Sequence, residues 1–317
     1  MLIDHILHIT SGPTPRFSLI PGLLPHLAAL TKAYPVQSAE DFIRKLVLMQ
    51  KNLKHGLSQG PSNPESKTWP GLPELTLLRA IGALWPTSDL HHVVISPARI
   101  LMGSYLGLCR VRSFADLASG LFLCTLFLQY ESLSKRFVPE AINFVINAVL
   151  HLVPKGYESA SALPGSFPAP DFRSELHQKL RISAKSSKGF NPAKANLPTL
   201  LETLEPGEQD KVDMLALAID LLGRFADMYK GLEGFIELYD PILEIVQHIR
   251  DQNLKGLKGL QVRNSVVVFN VTTLSFHPVT SKFSTRYAKQ TIKIRASITA
   301  TSAIAISQTD TNTNLYP

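Results

Sequence analysis

The chain has 317 residues, 45% of them hydrophobic, enough to bury a core of one large domain or two ordinary ones. Charged residues stand at 18%, which excludes a solvating acidic tail or polyampholyte linker as its main identity. Two cysteines exclude a disulfide-stapled scaffold, and Cys109 and Cys124, both in apolar surroundings, read as reduced buried thiols of an intracellular protein. The net charge of +7 is uneven. Residues 1–260 carry 26 basic and 24 acidic groups, whereas residues 261–317 carry six basic groups against Asp310 alone.

Residues 1–10 contain Asp4, His5 and His8 and lack the basic and apolar regions of a targeting peptide. Ser38-Ala-Glu-Asp41 is a capping-box pattern, followed by Phe42, Leu46, Met49 and Leu53 at helical spacing. Residues 72–85 predict a second helix, entered through Pro73 and stopped by Pro86. Ser96-Pro97 reads as an N-cap and first-turn proline opening a helix over 98–106. Ser113-Phe-Ala-Asp116 is another capping box, starting a long helix through Leu133. Its apolar run over 121–128 is too short for a bilayer span and reads as a buried helix. Val138-Pro139-Glu140 opens a helix ending at Pro154.

The helices starting near Leu72 and Ser113 lie 41 residues apart, a spacing similar to that of HEAT or armadillo pairs. The expected fold is all-α, an antiparallel helical stack of HEAT/armadillo-like α-solenoid type, with residues 1–154 as a helical-repeat-like domain. Residues 155–209, rich in Pro, Gly, Ser and Lys, read as a flexible, disordered linker with a short helix around 172–180. Helical periodicity returns over 210–229 and 232–250, predicting a hairpin within 210–255 that packs on the first domain. Residues 256–317 read as an irregular, poorly ordered tail. Ser265–Phe276 alternates like a strand, and 17 of the last 57 residues are Ser or Thr. Such a segment is an edge strand, a disordered tail or non-native sequence.

Most chemistry-bearing motifs are missing. There is no His-Glu-x-x-His, no Gly-x4-Gly-Lys-Ser/Thr, no Gly-x-Gly-x-x-Gly and no Cys-x-x-Cys. His91 and His92 are adjacent and read as loop residues; His5 and His8 share a helix face without a third ligand. Glu237, Asp240 and Glu244 read as the solvated side of an amphipathic helix. Asn270-Val-Thr272 is a chance sequon. No enzyme activity, metal or cofactor is expected. The remaining candidates are contact residues for a protein or RNA partner: Arg110 and Arg112 before the long helix, Lys135 and Arg136 at its close, and Trp85. Lys135 and Arg136 read first as groups complementing the helix dipole, with phosphate contact as the other reading. Trp85 is either a core contact or an aromatic anchor.

Leu84-Trp-Pro-Thr-Ser-Asp89, Ser96-Pro-Ala98, Gly120-Leu-Phe-Leu-Cys124, Tyr130, Leu133-Ser-Lys-Arg-Phe-Val-Pro-Glu140 and Ile142-Asn-Phe144 together resemble the nucleolar protein fourteen family. The resemblance is strong over 72–154 and weaker over the first seventy residues and 210–250. It implies a non-catalytic scaffold of the small-subunit processome in the nucleolus, needed for 18S rRNA maturation and 40S assembly. It also implies contact with pre-rRNA or snoRNA, with the fourth nucleolar complex protein and with the small-subunit pseudouridine methyltransferase, and no membrane. An adaptor with no ribosomal connection is the alternative. Family members are longer, with charged N-terminal and C-terminal regions that do not match here. The chain is therefore expected to be a fragment or an imperfect gene model, with residues 261–317 as candidate intron or frame-shifted translation. No run of four basic residues offers a nuclear import signal.

Overall fold

The computed structural model describes residues 2–12, 15–59, 68–87, 91–183, 197–203 and 205–252. Among them are helices and turns and no strand. In chain order the helices are α1 (Leu2–Ser11), α2 (Ile20–Ala33), α3 (Pro35–Ser58), α4 (Leu72–Leu84), α5 (Ile95–Leu108), α6 (Phe114–Tyr130), α7 (Pro139–Leu152), α8 (Glu175–Leu180), α9 (Leu197–Glu202), α10 (Glu208–Tyr229) and α11 (Phe235–Asp251). The fold is all-α, a stack in which α4 and α5 pack on α6, α6 packs on α7, and α10 lies along both α6 and α7. The strand-like run 265–276 and the tail lie outside the described residues.

Helix α6 is the centre of the stack. Twelve of its 17 residues are buried, and Asp116 is its only charged residue. Apart from the exposed Gln129, such a helix has almost no solvent face and must be enclosed by its neighbours. Two glycines allow this. A methyl group on Gly120 would fall 2.1 Å from Cζ of Phe144 on α7, and one on Gly82 of α4 would fall 2.3 Å from Cε2 of Tyr130. Tyr130, fully buried, donates its hydroxyl to the Leu78 carbonyl on α4. The absent side chains therefore set how closely α6 meets its neighbours on two sides.

The N-terminal helices wrap the edge of this stack. α1 buries Ile3, Ile6 and Thr10 at helical spacing and packs on α4. An ion pair from Asp4 to Lys45 of α3 holds the Asp4 carboxyl down to about 2, chiefly through that contact. α3 buries Phe42, Leu46, Met49 and Leu53 as their spacing predicts, but it starts earlier, with Pro35 in its first turn. Ser38 is thus inside the helix and is not its cap. α5 also begins before Ser96-Pro97. The His92 ring nitrogen Nδ1 accepts from the amides of Val94 and Ile95, at 3.2 and 3.3 Å. His92 so takes the role expected of Ser96.

Residues 155–183, expected as flexible linker, form a packed strap across α7 and α11. Leu163, Leu180 and Ile182 are buried in the common core. The Ile182 amide donates to the Leu152 carbonyl at 2.9 Å, and Asn147 donates to the Pro168 carbonyl at 3.0 Å. Lys155 exchanges hydrogen bonds with the Gln252 side chain, while Tyr157 lies against His248 with ring centroids 4.6 Å apart. The prolines and glycines that suggest a linker instead serve a chain that turns often while lying on a surface. Within it the expected short helix is α8, capped by Ser174. Residues 184–196 of the expected linker lie outside the described residues.

Two buried imidazoles meet under this strap. His151 of α7 and His177 of α8 are 5% and 4% exposed, with ring centroids 6.0 Å apart. Burial, with His177 as a second cause, holds His151 down to about 4. Burial and then Arg181 lower His177, against the pull of Asp171. Both rings bind protons more readily in the unfolded chain, so stability is expected to fall as pH drops from about 6.5 toward 4. Replacing His151 with Phe is expected to flatten that part of a pH series of urea midpoints. Separately, Gly120→Ala is expected to cost about 1–3 kcal/mol through overpacking against Phe144, read by urea denaturation.

Candidate functional site: the two ends of the central helix

The contact residues expected from the sequence do not form one patch. Arg110 and Arg112 precede α6 and Lys135 and Arg136 follow it, so its rise of about 25 Å separates the two pairs. Each end has its own construction.

At the N-terminal end the capping box forms as its residues predict. The Asp116 amide donates to Ser113 Oγ at 3.1 Å, and Asp116 Oδ2 accepts from the amides of Arg112 and Ser113 at 2.7 and 3.1 Å. This carboxylate satisfies donors that a helix start leaves open. Burial pushes its pKa up, against the pull of these amides and Arg112. Residues 68–70 are laced to the same region. Trp69 Nε1 donates to the Arg110 carbonyl at 2.9 Å, Arg112 Nη2 donates to Thr68 Oγ1 at 3.0 Å, and Ser119 Oγ donates to the Pro70 carbonyl at 2.8 Å. The Cys109 thiol points at the Thr68 carbonyl, 3.5 Å away, and burial pushes it up to about 12. Complete burial also raises the Cys124 thiol well above its ordinary value. Neither thiol is poised as a nucleophile.

Beside this lacing lies a cavity of about 740 Å3 between α3, the start of α4 and residues 68–71. Met49, Leu53 and Tyr105 contribute apolar lining, while Asn52, His55, Gln59, Trp69 and Glu74 contribute polar groups. No sequence motif announces this cavity. Its lining comes from α3, from residues 68–74 that follow it and open α4, and from Tyr105 of α5.

At the other end, α6 stops at Tyr130, three residues earlier than its apolar pattern predicts. Glu131 turns inward instead. Its side chain is fully buried, with Oε1 2.8 Å from Arg99 Nε of α5, itself 2% exposed. Ser134 donates to the other carboxylate oxygen, and Arg99 also donates to the Thr87 carbonyl. Arg136, half exposed, approaches the same carboxylate at 3.6 Å. Its backbone carbonyl accepts from the Tyr229 hydroxyl at 3.1 Å, and that hydroxyl accepts from the Val138 amide at 3.2 Å. Lys135 is exposed with a left-handed backbone, φ +50°. Neither Lys135 nor Arg136 sits in the last turn of α6, so the dipole role expected of them does not hold. Sequence reasoning missed Arg99 and Glu131, whose contact spans 32 positions.

Trp85 lies just past α4, half buried, with its ring edge-on to Phe42 at 4.8 Å and 6.0 Å from His92. The structure places it in packing between α3 and the α4–α5 turn. Among the described residues no group of three or more His, Cys, Asp or Glu could hold a metal ion, and no helix is long and apolar enough to cross a membrane.

Fold and site together define a helical stack whose buried polar groups serve its own seams. The Nop14-like family matches residues 1–270, and the chain belongs to that family. It is 31% identical over 260 residues to nucleolar protein 14 of Mus musculus, covering 80% of this chain and 29% of the relative. It is 30% identical over 256 residues to nucleolar protein 14 of Homo sapiens, covering 79% of this chain and 29% of that one. The chain thus spans under a third of the length of these relatives.

The Arg99–Glu131 pair makes a direct test of the C-terminal seam. Glu131→Gln leaves a buried guanidinium without its counter-charge and is expected to cost about 3–5 kcal/mol. Removing both charges, as Arg99→Met with Glu131→Leu, is expected to recover most of that loss in urea denaturation.

Proposed function

We propose that this chain is part of a non-enzymatic scaffold for ribosome biogenesis in the nucleolus. The observation that carries the reading is membership of the Nop14-like family over residues 1–270. The names of the mouse and human relatives, both nucleolar proteins, support the location. In finer terms, the chain serves the small-subunit processome, 18S rRNA maturation and 40S assembly. Its partners are other processome proteins, among them the fourth nucleolar complex protein and the small-subunit pseudouridine methyltransferase, together with pre-rRNA or snoRNA.

The physical support is the shape of the task. A stack of HEAT/armadillo-like helix pairs presents an extended surface on which several partners can sit at once. The exposure of Arg110, Lys135 and Arg136, with Arg112 half buried, supports partner contact at the two ends of α6. Arg112 and Arg136 have internal duties as well, so their substitution affects both folding and contact. Trp85 contributes through packing.

The test is sedimentation of the tagged chain from nucleolar extract on a sucrose gradient at low salt. The expected result is co-migration with pre-ribosomal particles that contain precursor 18S rRNA. Recovery only in the free-protein fractions would defeat the proposal.

A further inference from the structure

We infer that residues 132–137 and the α10–α11 turn together form a docking face for a second copy of this chain. Four large apolar side chains are exposed there. Leu133 is 73% exposed, and Phe137, Leu232 and Ile236 are 38–40% exposed. Tyr229 sets the two segments side by side. Its ring meets that of Phe137 at 5.2 Å, and its hydroxyl donates to the Arg136 carbonyl and accepts from the Val138 amide. Its own carbonyl accepts from the Leu232 amide at 2.9 Å. Apolar side chains gathered from two segments onto one exposed face mark an interaction site, where a single exposed leucine would not. Both segments are also ordered in advance. The Lys135 amide donates to the Glu131 carbonyl at 2.7 Å, and the Glu131 side chain is locked on Arg99. Gly234, at φ +78°, shapes the other turn, and the Phe235 amide donates to the Leu232 carbonyl at 3.3 Å. Docking therefore fixes little new backbone, which lowers its entropic cost.

Charge selects the occupant. Residues 132–137 carry Lys135 and Arg136 and no acid, whereas residues 231–237 carry Glu233 and Glu237 and no base. All four of these side chains are exposed, and Lys230 and Asp227 offset each other at 3.9 Å. A nucleic-acid backbone would be repelled by the acidic half of the face, and a uniformly acidic or basic peptide by one half or the other. A second copy meets neither obstacle. Turned about a two-fold axis through the apolar side chains, it lays Lys135 and Arg136 of each copy on Glu233 and Glu237 of the other. The face is its own complement.

The experiment is sedimentation velocity of the full chain from about 1 to 100 μM, the range in which a small interface associates. The native chain is expected to pass from monomer to dimer across that range, and the dimer to weaken as added salt screens its charge pairs. Leu133→Ser is expected to raise the dissociation constant at least about 10-fold. Lys135→Glu, and separately Glu233→Lys with Glu237→Lys, are each expected to raise it by about 10-fold or more, because each sets like charges opposite one another. Mixing those two charge variants in equal amounts is expected to restore association to within about 3-fold of the native chain, since every contact in the mixed dimer again pairs opposite signs. Circular dichroism checks that each variant is folded. A native chain that stays monomeric up to about 100 μM overturns the inference. A dimer indifferent to Leu133→Ser, or a charge-variant mixture that stays monomeric, overturns it as well, because association then uses another surface. If the chain is monomeric and Leu133→Ser releases a different, co-purifying protein, the face belongs to that protein and the inference falls.

Discussion

Everything in this fold is arranged around the enclosure of α6. With twelve of 17 residues buried, it gains from burial on every side, about 1.5–3 kcal/mol for each large side chain. Enclosure brings a cost at both ends, because a buried helix terminus leaves backbone groups without water. The two ends meet this cost differently. At the start, Ser113 and Asp116 supply acceptors from within the chain's next turn. At the finish the open groups are carbonyls and need donors: Arg99, held by the buried Glu131 carboxylate, reaches the Tyr130 carbonyl at 3.5 Å. That choice commits α5, the 131–138 loop and, through Tyr229, α10 to fixed positions.

The glycines complete the arrangement. Gly82 and Gly120 lie on different sides of the α6 interface, one against Tyr130 and the other against Phe144. A helix clamped by two aromatic rings has little freedom to slide, since protein interiors pack at crystal-like density. Gly120, Tyr130 and Phe144, three of the residues that carry the family resemblance, therefore help to fix helix spacing. They describe how the frame is held.

How far the sequence disclosed all this depends on the range of the interaction. The α6 capping box spans four residues and was legible, as was the buried stripe of α3 from Phe42 to Leu53. The starts of α3 and α5 were misplaced, since Pro35 and the His92 cap compete with the more conventional Ser38 and Ser96. Helices α1 and α2 went unread. α2 contains Pro21, Gly22 and Pro25 and buries only Leu27 and Thr31 fully, so its pattern resembles a loop. The strap over 155–183 was hidden because its turn-rich composition reports local backbone freedom and not the contacts that remove it. Arg99 and Glu131 were illegible for a similar reason. A charge in an apolar run signals burial only when its partner is known, and here the partner is a helix away. The cavity draws on three separate segments and leaves no local trace.

The near neutrality of the chain up to residue 260 also conceals a division that the fold makes visible. Residues 208–252, which include α10 and α11, carry ten Asp or Glu residues against Lys211, Arg224, Lys230 and Arg250. In α3 the acids Glu40 and Asp41 are followed, over residues 42–58, by Arg44, Lys45, Lys51 and Lys54 with no acid. A polyanion approaching such a molecule is repelled from one region and drawn to the other, because the field follows where charges lie and not their sum. Lys45 is already engaged by Asp4 and Arg44 by Asp41, which leaves Lys51 and Lys54 as the exposed contribution of α3. Helix α3 packs on α5, whereas α10 packs on α6 and α7, so the two differently charged regions sit on separate helices of the stack.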